Sequence, residues 1–454
     1  MNVLAICADT FRADHLGCYG NDWVQTPHLD ALAAAGIVFD QCYAEGLPTL
    51  PARRIFFTGR RLFPRWEVRE HKGDRLGFQP AWHAIPDAEP TLAELLAPSG
   101  VTCGFVTDVY HYFKPTGNYH RGFDAWEFIR GQEADRWRSG PRDTAAQAGE
   151  ASRDFELSSL PPGQRQYLMN NAWRRREEDY LAPRVMTAAM RWLEDNAANQ
   201  PFFLWVDCFD PHEPWDPPPH DAARYGPPLD DPRLIFAPAT DASHLSKEQL
   251  ATIQALYAGE VTMVDRWVGR LLERLDGLGL ADETAVLFTS DHGTLLGEMG
   301  VVHKQPWTLV QPQTRLPLIL RLPYDELAGV RVRDYVSAVD LAPTILALFD
   351  RQEGREAMDG QDLVPVALLK AKGYPWVVSA YGPYASIRTR THNYIAPYRD
   401  LAGTRWAKHP QPPRLFALDK QLCEGAEATD REPDVAAELQ GRLERIVADG
   451  HAAT

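Results

Sequence analysis

The stretch 202-FFLWVDCFD-210 decides the fold class. Its apolar residues follow one another without regular alternation, and an acid ends the run. Continuous apolar character is typical of a strand in a parallel sheet that is covered on both faces. Similar strand candidates recur along the chain at 3-VLAICAD-9, 101-VTCGFVTD-108, 284-TAVLFTSD-291 and 316-LPLILRLP-323.

Helical patterns separate these runs, at 29–36, 91–100, 179–197, 248–279 and 340–349. Strands that alternate with helices indicate an α/β fold with a mostly parallel central sheet flanked by helices. Two polar stretches, 133–178 and 212–246, are predicted to be surface excursions from an α/β domain that spans 1–370. Short strand-like segments and a closing helix at 434–450 then predict a small C-terminal α+β subdomain, 371–454, with an antiparallel sheet.

The composition restricts the class of protein and of partner. The 454 residues are 44% hydrophobic and 24% charged, as in an ordinary globular protein, and the formal net charge is −15. A charge of this sign disfavours nucleic acid as a partner. The start of the chain lacks a signal-peptide pattern, and no apolar run reaches the ~20 residues of a membrane span. We therefore expect a cytoplasmic protein without a membrane partner.

Four of the predicted strands end in an acid, at Asp9, Asp108, Asp210 and Asp291. Ligands of an open parallel sheet bind outside the carboxyl ends of its strands. A single acid at such a position is more often a helix cap or a turn residue. Four acids together indicate a metal-binding rim.

The segment 286-VLFTSDHGTLLGEMG-300 adds an imidazole to this rim, because His292 directly follows Asp291. A carboxylate and an imidazole on adjacent residues form a compact pair of metal ligands. The segment 210-DPHEPW-215 places His212 between two prolines, and 303-HK-304 supplies another histidine and a lysine. A lone histidine is more often a core or surface residue than a catalyst, so these positions need support from their surroundings.

The stretch 45-EGLPTLPARRIFFTGRR-61 joins a Pro-rich loop to a predicted helix. Pro51 suits a first helical turn, which puts Thr49 at a helix N-terminus, where negative charge is stabilised. With a metal ion nearby, Thr49 could act as a nucleophile, and Arg53 could bind an anionic substrate oxygen with both arms of its guanidinium. The alternative is that Thr49 only caps the helix, with Arg53 and Arg54 on its solvated face.

These segments occur in the order that is found in the sulfatase branch of the alkaline phosphatase superfamily, which the chain resembles over nearly its whole length. Further matching segments are 9-DTFRADHLGCYG-20 and 385-ASIRTRTHNYI-395. The resemblance implies an alkaline-phosphatase-like fold and a metal-assisted nucleophile. The residues that it implies are Thr49, Arg53, His212, Lys304 and, more loosely aligned, His111 for catalysis, and Asp9, Thr49, Asp291 and His292 for the metal.

Four positions depart from the family pattern. Sulfatases have Cys or Ser, matured to formylglycine, where this chain has Thr49, which cannot yield that aldehyde. The second acid of an Asp-Asp pair is Thr10 here, and the Asn of calcium-binding members is His292. The family lysine two residues before His111 is Val109. Because imidazole suits Zn²⁺, Mn²⁺ or Fe²⁺ better than Ca²⁺, we expect one divalent ion, manganese or zinc, with iron and calcium as alternatives.

The departures favour a metal-dependent hydrolase of phosphodiesters or phosphonate monoesters, promiscuous toward sulfate esters. Thr49 would form a phosphothreonine intermediate with a small anionic ester substrate. A sulfated threonine is harder to hydrolyse than a formylglycine hemiacetal is to break down. We therefore rank phosphorus esters above sulfate esters as substrates. The alternatives are a sulfatase without formylglycine, a phosphotransferase or mutase, and a non-catalytic binder. Members of the family often self-associate, so a homo-oligomer is compatible with the resemblance.

Overall fold

The computed structural model of the protein describes residues 1–65, 79–114, 117–139, 160–227, 231–237, 241–402, 405–408 and 410–450. Nine strands in these ranges form a central sheet. They are β1 Asn2–Ala8, β2 Ile37–Tyr43, β4 Thr102–Thr107, β5 Ala125–Phe128, β6 Phe202–Cys208, β7 Thr284–Thr289, β10 Arg315–Leu316, β11 Leu318–Arg321 and β12 Arg331–Ser337. A smaller sheet contains β3 Gly46–Leu47, β13 Val377–Tyr381, β14 Tyr384–Arg388, β15 His392–Pro397, β16 Arg414–Leu418 and β17 Glu424–Glu427, and a hairpin pairs β8 Leu295–Leu296 with β9 Val302–His303.

Five neighbouring strands of the central sheet are parallel, in the spatial order β7-β1-β6-β4-β5. Next to them, β11 runs antiparallel to both β7 and β2, and β12 pairs in parallel with β2. The prediction of a mostly parallel central sheet is confirmed. The run 316–323 forms a strand that is antiparallel to its neighbours, which its apolar character alone could not reveal.

The strand β2 is not among the predicted runs, because polar residues interrupt its apolar character. Gln41 is buried, and the half-buried Asp40 forms an ion pair with Arg331 of β12. Asp40 is thus paired with another strand, and the Tyr43 hydroxyl of β2 itself donates to Gln41 Oε1 at 2.8 Å. These contacts satisfy the polar groups that interrupt the apolar pattern of the strand.

Helices cover both faces of the central sheet, as predicted. Alternate residues of β1 point to opposite sides: Val3, Ala5 and Cys7 pack into one apolar cluster and Leu4, Ile6 and Ala8 into the other. The helices are α1 Pro27–Ala34, α2 Thr49–Thr58, α3 Leu92–Leu96, α4 Pro162–Asn171, α5 Leu181–Asn196, α6 Pro219–Ala222, α7 Lys247–Gly277, α8 Gln311–Thr314, α9 Leu341–Leu348, α10 Leu363–Ala367 and α11 Pro433–Asp449. The first cluster includes residues of α2, α3 and α9, and the second includes residues of α1, α5 and α7.

The smaller sheet has the order β17-β16-β15-β14-β13-β3 and is antiparallel apart from its last pair. Helix α11 packs against this sheet through Leu439, Leu443 and Ile446. In the last pair, β3 runs parallel to β13, with Gly46 opposite Ala380. The two residues of β3 lie just before Thr49, so the C-terminal sheet helps to fix the start of α2.

The two predicted excursions contain short helices. The stretch 133–178 includes α4, and its residues 140–159 lie outside the described residues. The stretch 212–246 includes α6, which packs against α7. Across the described ranges, no helix combines the length and the apolar character needed to cross a membrane.

The close approach of two backbone segments beside β7 gives a test of the packing. A Cβ built on Gly293 would lie 2.0 Å from the carbonyl oxygen of Pro312. Because this atom belongs to the backbone, we expect Gly293→Ala to lower the free energy of unfolding by about 1–3 kcal/mol in urea denaturation. The matched control is Gly277→Ala at the end of α7, where a Cβ meets nothing within 4 Å. Equal stability of the two variants would contradict the close approach.

Candidate active site

Helix α2 begins at Thr49, and its N-cap is Pro48, without a side-chain capping bond. The alternative in which Thr49 caps the helix is therefore wrong. Thr49 is 3% exposed and has a φ of +30°, which is rare for a β-branched residue and costs about 1–3 kcal/mol. Such strain persists only where the surroundings enforce it. Here the preceding strand β3 and the following residues of α2 are both held in place.

Arg53, one turn into α2, is fully buried among three carboxylates. Its Nε and Nη2 donate to the two oxygens of Asp207, at 3.0 and 2.7 Å. Its Nη1 lies 2.5 Å from Asp291 Oδ2 and 2.9 Å from Asp9 Oδ2. The same nitrogen is 3.4 Å from the carbonyl oxygen of Thr49. The guanidinium therefore joins the start of α2 to the strands β1, β6 and β7.

This arrangement revises the two expectations for the arginines. Asp207 occupies Nε and Nη2 of the Arg53 guanidinium, and Asp9 and Asp291 occupy Nη1, so the guanidinium does not face a substrate oxygen. Arg54 is also buried, and it forms an ion pair with Glu89. The alternative that both arginines lie on a solvated helix face is wrong.

Asp9, Asp291 and His292 form a buried group whose ligand atoms lie within 4.8 Å of one another. The Nε2 atom of His292 is 3.3 Å from Asp291 Oδ2 and 4.0 Å from Asp9 Oδ1. The Nδ1 atom donates to the carbonyl of Gly293 at 2.9 Å, which leaves a lone pair on Nε2 in the neutral ring. This Nε2 and Asp9 Oδ1 are buried without a hydrogen-bond partner among the described residues, and Asp9 Oδ2 has the ion-pair contact with Arg53. A lone pair that faces carboxylate oxygens fits a cation held between them.

The electrostatics of this group also favour a cation. Burial, together with Asp291, raises the pKa of Asp9 well above its usual value. Burial alone would raise the pKa of Asp291, but His292 and Arg53 outweigh it and lower that pKa. Burial lowers the pKa of His292 to about 3, so the imidazole is neutral and able to bind a metal. A divalent ion would displace the proton that Asp9 tends to retain.

His212 and Lys304 form a second pair within hydrogen-bond distance. The Nδ1 of His212 donates to the carbonyl of Glu213 at 2.7 Å, so its Nε2 accepts from Lys304 Nζ, at 2.7 Å. Burial lowers the pKa of His212 to about 4. Burial alone would lower the pKa of Lys304, but the charges of Glu213 and Asp9 outweigh it and raise that pKa. The proton of this pair therefore resides on the lysine.

Glu213 lies among His212, His303 and Lys304. Its Oε1 is 3.0 Å from His303 Nδ1, and its Oε2 is 3.2 Å from His212 Nδ1 and 4.0 Å from Lys304 Nζ. His303 donates from Nε2 to the carbonyl of Ala237 at 2.5 Å. His303 belongs to neither of the candidate metal groups of the described ranges. It acts as a partner of Glu213.

His111 lies on the far side of His212 and is buried. Its Nε2 donates to Glu133 Oε2 at 2.9 Å, and Glu133 Oε1 is 4.0 Å from His212 Nδ1. Glu133 thereby connects the two imidazoles. The start of the excursion 133–178 thus contacts a residue that the sequence assigned to the site.

The four strand-end acids divide into two pairs. Asp9 and Asp291 belong to the candidate metal group around His292, whereas Asp108 and Asp210 belong to neither candidate group of the described ranges. The Gln132 amide donates to Asp210 Oδ1 at 2.8 Å and to Asp108 Oδ2 at 3.4 Å. The expectation of one four-acid rim is therefore wrong. The strand order explains the division, because Asp291 and Asp9 follow the neighbours β7 and β1, and Asp210 and Asp108 follow β6 and β4.

Sequence reasoning missed Asp207, although it contacts Arg53 with both carboxylate oxygens. The signal was an acid inside an otherwise apolar strand, where a charge needs a buried partner. Tyr112 and Trp205 also donate to Asp207. Glu133 was missed because it occurs in a polar stretch with no local pattern.

A second group of possible ligands lies elsewhere and consists of Glu177, His220 and Asp221. The Arg266 guanidinium donates to both carboxylates of this group, at 2.8 Å to Glu177 and 2.5 Å to Asp221. Arg266 thereby offsets one of the two negative charges, and Arg224 lies 3.6 Å from Asp221. The group around His292 is the better metal site.

The sequence is similar to known proteins over most of its length. A family model described as Sulfatase matches residues 1–351. Steryl-sulfatase of Mus musculus is 28% identical over 80% of this chain and 64% of its own length, and iduronate 2-sulfatase of Homo sapiens is 25% identical over 80% and 67%. The chain thus spans about two thirds of the length of these curated relatives.

Among solved structures, the phosphonate monoester hydrolase of Agrobacterium radiobacter has a TM-score of 0.71 and 21% identity, over 99% of this chain and 95% of that chain. This likeness concerns the fold. The family match extends over most of the sequence and includes every site residue described above. The chain therefore belongs to the sulfatase family, within the sulfatase branch of the alkaline phosphatase superfamily.

Proposed function

We propose that the protein is a metal-dependent hydrolase of phosphodiesters or phosphonate monoesters that uses Thr49 as its nucleophile. One observation carries the proposal: a single nitrogen of Arg53 contacts the Thr49 carbonyl and the carboxylates of Asp9 and Asp291. The start of α2 is thereby tied to the group of residues that fits a metal ion. The strained backbone at Thr49 supports a functional role for that position.

The residues that would hold the ion are Asp9, Asp291, His292 and Thr49. When bound, a divalent ion supplies Lewis-acid stabilisation of charge on the oxygens of the transferred group. A neutral imidazole in the ligand set favours manganese or zinc, with iron and calcium as alternatives. One divalent ion is proposed for the site.

Thr49 lies at the N-terminus of α2, where unpaired N–H groups and the helix dipole favour negative charge. Its hydroxyl would release its proton to solvent, attack the phosphorus in line and break the bond from phosphorus to the alcohol oxygen, forming a phosphothreonine. Water would then cleave the bond between phosphorus and the threonine oxygen and regenerate the hydroxyl. Arg53 would position Asp9 and Asp291 and offset part of their charge.

Lys304 is the best candidate for the acid that assists the leaving group. It carries the proton of the pair, and His212 accepts its hydrogen bond. The departing alkoxide would take this proton. His212 would then orient the lysine through the same hydrogen bond and would not itself be the acid at neutral pH.

A sulfatase that works without formylglycine is the second candidate, because the named curated relatives are sulfatases. Both reactions transfer a tetrahedral group with anionic oxygens, so activity on both classes of ester is proposed. Turnover of an aryl sulfate, a bis-aryl phosphate and an aryl phenylphosphonate, measured side by side, ranks them. A preference for sulfate over both phosphorus esters would place the sulfatase first. Release of the aryl phosphate or the phenylphosphonate into water, rather than its transfer to an added alcohol, separates a hydrolase from a phosphotransferase or mutase.

The covalent step can be observed directly. We expect brief mixing with bis(4-nitrophenyl) phosphate to add an aryl phosphoryl group to the peptide that contains Thr49, detected by intact and peptide mass spectrometry. Thr49→Ala should lose the adduct and on the order of 10³-fold or more of kcat, because the nucleophile is gone. Thr49→Ser is the matched control, since it keeps the hydroxyl. An adduct on another residue, or full activity of Thr49→Ala, would exclude Thr49 as the nucleophile.

The metal site can be tested without turnover. We expect a chelator to lower the melting temperature and Mn²⁺ or Zn²⁺ to restore it, since binding at 100 times the Kd stabilises a protein by about 2.7 kcal/mol. His292→Ala should lose the bound metal in elemental analysis and the thermal shift. His220→Ala in the second acidic group is the control and should keep both. Loss of metal in His220→Ala but not in His292→Ala would place the ion in the group of Glu177, His220 and Asp221 and contradict the proposed site.

The role of Lys304 can be tested through the leaving group. In a series of aryl esters, we expect Lys304→Ala to lose more activity as the pKa of the leaving phenol rises, reaching about 10²–10⁴-fold for poor leaving groups. The wild-type pH profile should lack an acid limb near pH 6.5 from His212, because the pKa of that residue lies at about 4. A uniform loss across the series would show that Lys304 binds the substrate without donating its proton.

A further inference from the structure

The site opens to solvent beside two carboxylates. The side chains of Glu133 and Glu213 are 25% and 24% exposed, whereas that of Lys304 is 11% exposed and that of His212 is 5% exposed. Asp9, by contrast, is fully buried. A substrate that enters the site therefore meets these two acids before it reaches the metal-binding group.

The two carboxylates differ in their partners. Glu213 is compensated by Lys304 and approached by His212 and His303. The ionic partners of Glu133 in the described ranges are two imidazoles, His111 at 2.9 Å and His212 at 4.0 Å, and no lysine or arginine. Burial alone would raise the pKa of Glu133, but the His111 imidazole outweighs it and the pKa is lowered. Glu133 thus brings to the opening a carboxylate whose ionic partners in the described ranges are imidazoles only.

Hydrogen bonds of the surrounding loop fix the position of Glu133. Its φ is +40°, a conformation that costs a non-glycine residue free energy, and its N–H donates to the side-chain oxygen of Gln132 at 3.2 Å. The amide nitrogen of Gln132 in turn bonds to Asp108 and Asp210. Asp135 accepts from the N–H of Gly131 at 3.0 Å. The strand-end acids that do not join the metal group therefore anchor the loop that presents Glu133.

The surroundings of His111 are apolar and aromatic. Where the resemblance leads us to expect a lysine, the chain has Val109, which is fully buried. The ring of His111 packs between Trp82, at a centroid distance of 5.1 Å, and Tyr110, at 4.1 Å. Apolar walls of this kind reduce the screening of a nearby charge. The partly exposed carboxylate of Glu133 is therefore suited to pairing with an organic cation at the opening.

We propose that the alcohol portion of the substrate carries an ammonium group and that Glu133 is the specificity-determining residue that binds it. The inference rests on the proposed function, because it assigns the leaving-group side of the same site. The transferred group stays anionic and faces the metal-binding residues. The cationic end of the alcohol then lies beside Glu133 at the opening. A structural role for Glu133, in which it only orients His111, is the competing account.

The test uses two esters of the same shape and different charge, the phenylphosphonate monoesters of choline and of 3,3-dimethylbutanol. We expect the wild-type enzyme to favour the choline ester by about tenfold or more in kcat/KM, since it alone can pair with a carboxylate. In Glu133→Gln the ratio should fall to about one, whatever happens to the absolute rates. High salt should reduce the wild-type ratio, because the attraction is electrostatic.

The matched control is Glu127→Gln, which removes a surface carboxylate of β5 that pairs with Arg191. It should leave the ratio unchanged. Equal losses on both esters in Glu133→Gln, with the ratio intact, would assign Glu133 to the orientation of His111 and overturn the proposal. A wild-type ratio near one would also overturn it.

Two further measurements separate this inference from the proposed function. Hydrolysis of 4-nitrophenyl phenylphosphonate tests the hydrolase alone, since its leaving group carries no cation. Calorimetric binding of the two matched esters to Thr49→Ala tests the cation preference alone, since no turnover occurs. Aryl-ester turnover without a binding preference would leave the hydrolase standing and refute the role of Glu133. The opposite outcome is a wild-type enzyme that does not hydrolyse the aryl ester, with a preference for the choline ester in Thr49→Ala that disappears when Glu133→Gln is added. That outcome would support the role of Glu133 and refute the hydrolase.

Discussion

The buried guanidinium of Arg53 is the interaction on which the site depends. It contacts carboxylates from the ends or interiors of three neighbouring strands: Asp9 after β1, Asp207 within β6 and Asp291 after β7. Removing one partner of a buried ionic network leaves an unpaired buried charge, which is strongly destabilising. The single positive charge of Arg53 cannot balance the charges of three carboxylates. The remaining negative charge is offset by a proton, which Asp9 tends to keep, or by a metal ion.

This charge balance links the proposed nucleophile to the candidate metal group. Helix α2 provides both Thr49 and Arg53, so the anchoring of the arginine also fixes the threonine. On the other side, β3 pairs with β13 of the C-terminal sheet. The strained backbone at Thr49 is thus held from two directions. The smaller sheet packs against α11, and it also contributes to the site by restraining the start of α2.

The sequence was sufficient for the fold class and for the residues that follow strand ends. Asp9, Asp291 and His292 were predicted because the end of a parallel strand is a local pattern. The grouping of Asp108 with Asp210 was not predicted, because it depends on the order of strands in the sheet, and no local sequence pattern shows that order. The contacts of Asp207 and Glu133 depend on partners 154 and 22 residues away. The positions of charged groups within the sheet and the loops were therefore the part that required a structure.

The central claim is that one cation and the Thr49 hydroxyl share a single site. An anomalous-difference map from crystals of the manganese- or zinc-loaded protein tests it most directly. The account expects a single strong peak bounded by Asp9, Asp291 and His292, with the Thr49 hydroxyl oxygen among its ligands. A peak at Glu177, His220 and Asp221, or a Thr49 hydroxyl directed away from the ion, would contradict it.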